Sequence, residues 1–201
     1  MFENKRLYIV CVDHMKCYDT INRNVLWLKL FKLGINGICL CIIKDIYRKV
    51  KSCVRSCNSY SEYFEYAIGL RQGEVMSPVM VSLFVEDIKL HMQSKVDSGI
   101  QTDDIMLIML LFADNMAIFA KTPEELQDHL NDLLYYCNSC GLHVNTNKTK
   151  VMVFRKRGGV KLNENWSYDN NILKVVDNFN YLGTIFNYTI QKSACFTIEL
   201  K

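Results

Sequence analysis

Proline is almost missing from this chain. Two prolines among 201 residues, with half of all residues hydrophobic, exclude a wholly disordered polypeptide and leave ample material for a packed core. A strong excess of one charge is missing as well. The net charge of +3 permits a nucleic-acid partner but lacks the basic excess of a dedicated binder. No apolar run reaches the about 18 uninterrupted residues of a membrane helix. The opening MFENKRLYIVCVD has too short an apolar stretch for a secretory signal and soon meets an acid. Nine cysteines, an odd number without such a signal, are expected as reduced thiols in an intracellular compartment. Cys137 and Cys140 form a CxxC, but no second pair at zinc-finger spacing accompanies it, so they read as two residues near the end of an amphipathic helix. Neither an internal repeat nor a low-complexity linker is present. The length suits one ordinary domain with at most a small appendage.

What is present centres on Ile105 to Ala120, IMLIMLLFADNMAIFA, apolar except for Asp114 and Asn115 at its middle. A membrane helix, a buried helix or two buried strands could each produce such a run. The carboxylate in the middle disfavours the first. Asp-Asn suits a two-residue hairpin turn, because both side chains tolerate left-handed backbone. The expected arrangement is strand, turn, strand, with Asp114 at the tip of a stiff hairpin, either as a solvated turn residue or as a metal ligand.

Around this hairpin the pattern mixes strands and helices. Leu7 to Val12 is a β-prone run that ends at Asp13, so it reads as a buried strand with a carboxylate at its end. Thr20 or Asn22 can cap a helix from about Arg23 to Leu33, with Val25, Leu26, Leu30 and Leu33 inward and Gly34 as its stop. A second helix is expected over Gly37 to Tyr47. Val50 to Cys57 alternates like a half-buried strand, with Tyr63 to Ile68 as partner. After the polar loop Gly69 to Glu74, Ser77 and Pro78 signal a helix reaching about Met92. Asp97 to Asp104 reads as a loop. Thr122-Pro123-Glu124-Glu125 is a capping box opening a helix to Cys140, stopped by Gly141. A short strand, VMVF, follows, then the basic turn Arg155 to Gly159 and weak strands near Ile172 to Val176 and Tyr181 to Phe186. Without strict βα alternation, the pattern predicts an α+β fold: an antiparallel sheet with helices packed on one face.

Asp13 and Asp114 both terminate buried strands. If those strands are neighbours, the two carboxylates emerge at one sheet edge. Two-metal phosphoryl transfer needs such an arrangement, hard oxygen ligands on rigid elements holding cations about 4 Å apart.

The motifs go further. From about residue 7 to residue 186 the chain resembles the reverse-transcriptase palm of non-LTR (LINE-like) retrotransposons. CVDHMKCYDTINR is similar to the family's first palm motif, with Asp13 as its metal-binding aspartate and Tyr18 at the aromatic position under the incoming sugar. GLRQGEVMSP resembles the second motif, whose loop (here Arg71, Gln72 and Gly73) contacts template and nucleotide. LFADN stands where the family has aromatic-Ala-Asp-Asp. NTNKTK resembles the next motif, in which Lys148 would lie near the triphosphate, and Phe179 to Gly183 is similar to the primer-gripping hairpin, with Tyr181, Leu182 and Gly183 at its turn. Five motifs in the family's order make a specific signal.

The resemblance implies a polymerase palm with the fingers missing: residues 1–158 the palm, and 159–201 its end, leading toward a thumb. It implies RNA-directed DNA polymerisation, with dNTPs added to a DNA primer on an RNA template through Mg²⁺ (or Mn²⁺) held by Asp13 and Asp114. Reduced cysteines together with such a nucleic-acid substrate lead to an expected location in the cytoplasm or nucleus, with no membrane partner. Asn115 departs from the pattern by replacing the second aspartate. With the truncation, it is expected to impair catalysis, and the alternative is a non-catalytic remnant that at most binds nucleic acid or a partner chain.

Overall fold

The computed structural model describes residues 6–92, 99–102, 105–154 and 164–187. The first strand, β1 (Leu7–Asp13), is followed by one helical turn, α1 (Cys17–Thr20). Asn22 then caps α2 (Arg23–Lys32), its side chain accepting from the backbone amides of Asn24 and Val25. Leu26 and Leu30 are fully buried, whereas Leu33 is 47 % exposed because α2 ends one residue before it. Arg23 and Lys29 are buried in its place. Helix α3 (Gly37–Arg48) turns Leu40, Ile43 and Tyr47 inward.

The strand expected over 50–57 is instead two short ladders, mostly exposed. β2 (Lys51–Ser52), β3 (Arg55–Ser56), β4 (Ser59–Tyr60) and β5 (Phe64–Glu65) pair as β2 with β5 and β3 with β4. Alternation is present there, but past Val50, which is buried in the core, the ladders lie almost wholly at the surface. The single helix expected from Ser77 is two helices, α4 (Ser77–Phe84) and α5 (Ile88–Met92), with Pro78 in the first turn and Ser77 inside the helix rather than capping it. The break has a tertiary cause. Lys29 Nζ donates to the Phe84 carbonyl (2.8 Å), to Asp87 Oδ1 (2.7 Å) and to the Tyr136 hydroxyl (2.8 Å), which draws residues 84–87 out of a continuous helix.

Part of the expected loop before the central run is a strand, β6 (Ile100–Thr102), antiparallel to β7 (Ile105–Leu107). Asp103 and Asp104 lie outside the described residues, as does the basic turn Arg155 to Gly159. β8 (Met109–Phe112) and β9 (Asn115–Ala120) form the central hairpin. Thr122 caps α6 (Pro123–Cys140) by accepting from the Glu125 amide (3.1 Å), and Gly141, at φ 73°, ends it. The Glu125 carboxylate reaches back to the Lys121 amide (2.7 Å) and across to that of Gly99 (2.6 Å). Cys137 and Cys140 are both buried at the end of this helix. β10 (Lys150–Phe154), β11 (Ser167–Tyr168), β12 (Asn171–Ile172), β13 (Lys174–Val175), β14 (Asn178–Tyr181) and β15 (Thr184–Asn187) follow among the described residues.

The main sheet has the order β13-β10-β1-β9-β8, antiparallel except for β13 beside β10. Its central strand explains the unbroken apolar run of LYIVCV. Tyr8, Val10 and Val12 face the core shared with the helices, beside Leu26, Leu30, Phe84, Leu126 and Leu130. Ile9 and Cys11 face the other way, where Phe179, Tyr181 and Phe186 of the β14–β15 hairpin pack over Ala117, Phe119 and Met152. A strand covered on both faces has no solvent side to alternate with. Each such side chain contributes about 1.5–3 kcal/mol of burial, which makes the register of β1 hard to shift. Burial also pushes the Cys11 thiol pKa up to about 12. Among the described residues, no helix is long and apolar enough to cross a membrane.

Candidate active site

β1 carries Asp13 to the edge of the sheet. There its backbone register partner on β9 is Asn115, and Phe112 pairs with Asn115 across the hairpin. The turn is therefore Ala113-Asp114, one residue earlier than the Asp-Asn turn expected from sequence. Ala113 takes the left-handed backbone (φ 53°) at the first central position, as in a type II′ turn. A non-glycine residue at positive φ stores strain of about 1–3 kcal/mol, and the paired strands on either side hold it there. Asp114 stands at the tip, and the Asn115 amide Nδ2 donates to its Oδ1 at 3.4 Å.

The loop before β10 locks onto the end of β1. The Asn145 amide donates to the Asp13 carbonyl (2.8 Å), and the Asp13 amide donates to the buried Thr149 hydroxyl (3.2 Å). This brings Lys148 Nζ within 4.0 Å of Asp13 Oδ1. At 69 % and 39 % side-chain exposure, that ion pair is a weak tether.

Tyr18, on α1, is half-buried. Burial raises its hydroxyl pKa, and the charge of Asp114 raises it further, so the two residues share one electrostatic environment. His14 is buried behind both carboxylates. Burial lowers its pKa while Asp114 and Asp13 pull it up, and neither ring nitrogen has a hydrogen-bond partner among the described residues. On the opposite face the Tyr181 hydroxyl donates to the Asn115 carbonyl (3.5 Å). Leu182 and Gly183, at φ 52° and 82°, make the tip of that hairpin. Positive φ at both central residues is the type I′ geometry.

The loop carrying Arg71, Gln72 and Gly73 is adjacent but separate. It is tied to the site through its root, where the Leu70 amide donates to the Tyr18 carbonyl (2.6 Å) and that of Gly69 to Ile21 (2.8 Å). Gly69 sits at φ 79°, and a Cβ there would meet the Asp19 carbonyl oxygen at 2.6 Å. Arg71 pairs with Glu74 (3.8 Å), while Gln72 and Gly73 are exposed. The structure thus gathers Asp13, Asp114, Asn115, Lys148, Tyr18 and Tyr181 at one end of the sheet, with the 71–73 loop beside them.

Sequence reasoning overlooked three contributors. Arg23 holds the Gly69 loop from behind and had a legible signal, a charge spaced three and seven residues before Leu26 and Leu30 on the buried face of α2. Thr149 and His14 had none, since only the packing of the 145–149 loop and the helices buries them.

Asp13 and Asp114 carboxylates, with the Asn115 amide, make a donor set of hard oxygens. Mg²⁺ and Mn²⁺ accept such sets, and Mg²⁺ commonly takes only one or two carboxylates, with substrate phosphate oxygens completing its shell. No group of three or more His, Cys, Asp or Glu positioned to hold a metal occurs among the described residues. In kind, the two carboxylates and the amide carbonyl match a cation whose shell is completed by phosphate oxygens.

Comparison with known proteins bears on this geometry. The chain is 24 % identical over 141 residues to the "Retrovirus-related Pol polyprotein from type-2 retrotransposable element R2DM" of Drosophila melanogaster, which covers 70 % of this chain and 13 % of that protein. It is 23 % identical over 192 residues to the "Retrovirus-related Pol polyprotein from type-1 retrotransposable element R2" of Popillia japonica, covering 92 % of this chain and 27 % of that protein. The chain thus spans a small part of the relatives it matches. In fold it is similar to an apo telomerase from Candida tropicalis, with a TM-score of 0.62 at 14 % identity over 91 % of this chain and 34 % of that one. A profile described as "Reverse transcriptase (RNA-dependent DNA polymerase)" matches residues 2–186, nearly the whole chain and every element of the sheet end, and so this chain belongs to the reverse transcriptase family.

Proposed function

We propose that the chain is the palm of an RNA-directed DNA polymerase of a non-LTR retrotransposon, acting inside the cell, with residues 1–158 as the palm and 159–201 as its continuation toward a thumb. One observation carries the reading: Asp13 and Asn115 are register partners at the end of the central strands, with Asp114 on the turn immediately before. In this reading, Asp13 and Asp114 hold Mg²⁺ or Mn²⁺. The bound cation supplies charge neutralisation on the transferring phosphate and activation of the primer 3′-hydroxyl. The residues around it orient the ligands. Lys148, exposed beside Asp13, faces the dNTP triphosphate. Tyr18 supports the incoming sugar, Arg71, Gln72 and Gly73 contact template and nucleotide, and Tyr181, Leu182 and Gly183 steady the primer.

A second reading is favoured by Asn115. It keeps a carbonyl ligand but brings no negative charge to the cation, so the chain is a folded palm that binds nucleic acid or a partner chain without catalysis. Primer extension on an RNA template with Mg²⁺ or Mn²⁺ separates the two. Extension by the natural chain and silence from Asp114→Ala establishes the polymerase. Extension by Asn115→Asp alone makes this chain a disabled polymerase, and silence from all three leaves the binding reading.

A further inference from the structure

Behind the loop that joins the site lies a cleft the polymerase reading leaves unused. It has a volume of 550 Å³ and opens between α2, α3 and the segment around Tyr66. Its back is a seam made by Arg23, whose guanidinium donates to the carbonyls of Gly69 (2.7 Å), Tyr47 (3.0 Å), Tyr66 (3.1 Å) and Ile68 (3.4 Å). The Gly69 and Leu70 amides bond to the Ile21 and Tyr18 carbonyls, so the same stretch of backbone is tied to Arg23 through its carbonyls and to the α1 segment through its amides.

The lining is a ladder of planes. The Trp27 and Tyr47 rings are 5.9 Å apart, and the Arg23 guanidinium lies 5.3 Å from the Tyr47 ring and 5.1 Å from that of Tyr66. Tyr47 and Arg23 are buried, but Trp27 and Tyr66 are only partly buried and line the cleft. Lys44 and Arg48 stand one helical turn apart on α3, both exposed and both lining the opening. Arg48 pairs with Asp45 at 2.6 Å, but the pair is exposed and worth at most about 1 kcal/mol, so a phosphate can replace the carboxylate. Glu65 is the single acid of the lining, and it is drawn toward Lys51 at 3.5 Å.

Partly exposed aromatic planes flanked by mobile cations bind single-stranded nucleic acid, with bases stacking and phosphates meeting the charges. We propose that this cleft holds an unpaired nucleotide of single-stranded nucleic acid, its base against Trp27 and Tyr66 and its phosphates on Lys44 and Arg48. An acidic peptide would use the cations but leave the ring surfaces unpaired. That the strand is the uncopied template running past the Gln72–Gly73 loop rests on the polymerase reading; that the cleft binds a strand does not.

The test uses the chain's own reporter. Of its two tryptophans, Trp166 is 1 % exposed, so quenching by an added strand reads Trp27. The intact chain is titrated with a short oligo(U) or oligo(dT), without metal or dNTP. Saturable quenching is expected. Tyr66→Ala should weaken binding on the order of ten-fold, the loss of one stacked base. Lys44→Glu with Arg48→Glu should weaken it further and flatten its salt dependence, while Lys174→Glu on the edge strand β13 should change neither. The two α3 substitutions are on the surface, so the test survives even if Tyr66→Ala fails to fold. No quenching, equal affinity in the α3 variant, or equal quenching by oligo-glutamate overturns the proposal. Parallel primer extension keeps the readings apart: cleft-dependent quenching without extension sinks only the polymerase, and extension without it sinks only the cleft.

Discussion

Replacing Asn115 by aspartate tests the site most directly, because its effect should reverse sign with the cation. In the natural chain the Asn115 amide donates to Asp114 Oδ1 at 3.4 Å. Asn115→Asp removes that donor and sets two carboxylates at a similar separation. Two unit charges at that distance repel by about 5 kcal/mol at an effective dielectric near 20. Both side chains are partly exposed, and solvent screening leaves on the order of 1 kcal/mol of net destabilisation. For a chain of this length, that lowers the thermal midpoint by about 2–4 °C in the presence of chelator. Adding Mg²⁺ or Mn²⁺ should raise the variant's midpoint above its chelated value and by more than in the natural chain, since a divalent ion turns the repulsion into two attractions. Differential scanning fluorimetry with chelator and with millimolar metal reads both limbs. In extension assays the variant should gain at least ten-fold, the equivalent of about 1.4 kcal/mol in the barrier. A variant as stable as the natural chain in chelator, with the same response to metal, would refute the placement of residues 13, 114 and 115 around one cation.

Four further outcomes follow from the packing. Lys29→Met should cost about 2–3 kcal/mol in urea unfolding, because the ammonium bonded to Phe84, Asp87 and Tyr136 is lost and its acceptors are left behind; a loss below 0.5 kcal/mol would contradict the network. Burial pulls the Asp87 carboxyl pKa up, but hydrogen bonds from Lys29 and Tyr136 outweigh it and hold the pKa below its ordinary 3.8. That stability is complete above pH 3.8 and is lost as pH falls through the lower folded value, so Asp87→Asn should unfold less steeply in acid than the natural chain, and parallel acid curves would argue otherwise. Gly69→Ala should destabilise by about 2–4 kcal/mol, since its φ is positive and its Cβ would collide with the Asp19 carbonyl; an unchanged urea midpoint would mean that the loop root can move. His14→Leu should be neutral or stabilising, as both ring nitrogens are buried without a hydrogen-bond partner among the described residues, and a loss of 2 kcal/mol or more would reveal a bond they make.

Local chemistry was legible wherever one segment decides its own geometry. Asn22, Thr122 and Gly141 mark helix ends by hydrogen bonds and backbone freedom that neighbouring residues supply. The central hairpin was legible in kind but displaced by one residue. Asp and Asn are the better turn formers, but Phe112 pairs with Asn115, so the turn falls on Ala113. Pairing of the flanking strands outweighs the turn preference of two side chains.

By itself the sequence determined the family, the antiparallel sheet with helices on one face, and the two strand-end carboxylates, because motif order and hydrophobic periodicity are local and survive in one dimension. Tertiary structure alone decided the rest. Lys29 divides the helix after Ser77 by reaching across 55 residues to a carbonyl. Arg23 holds the Gly69 loop and lines a second cleft with rings from three segments. The His14 ring is buried with no hydrogen-bond partner among the described residues. A polar side chain's role depends on what lies opposite it, and that is set by long-range packing, which no window of sequence contains.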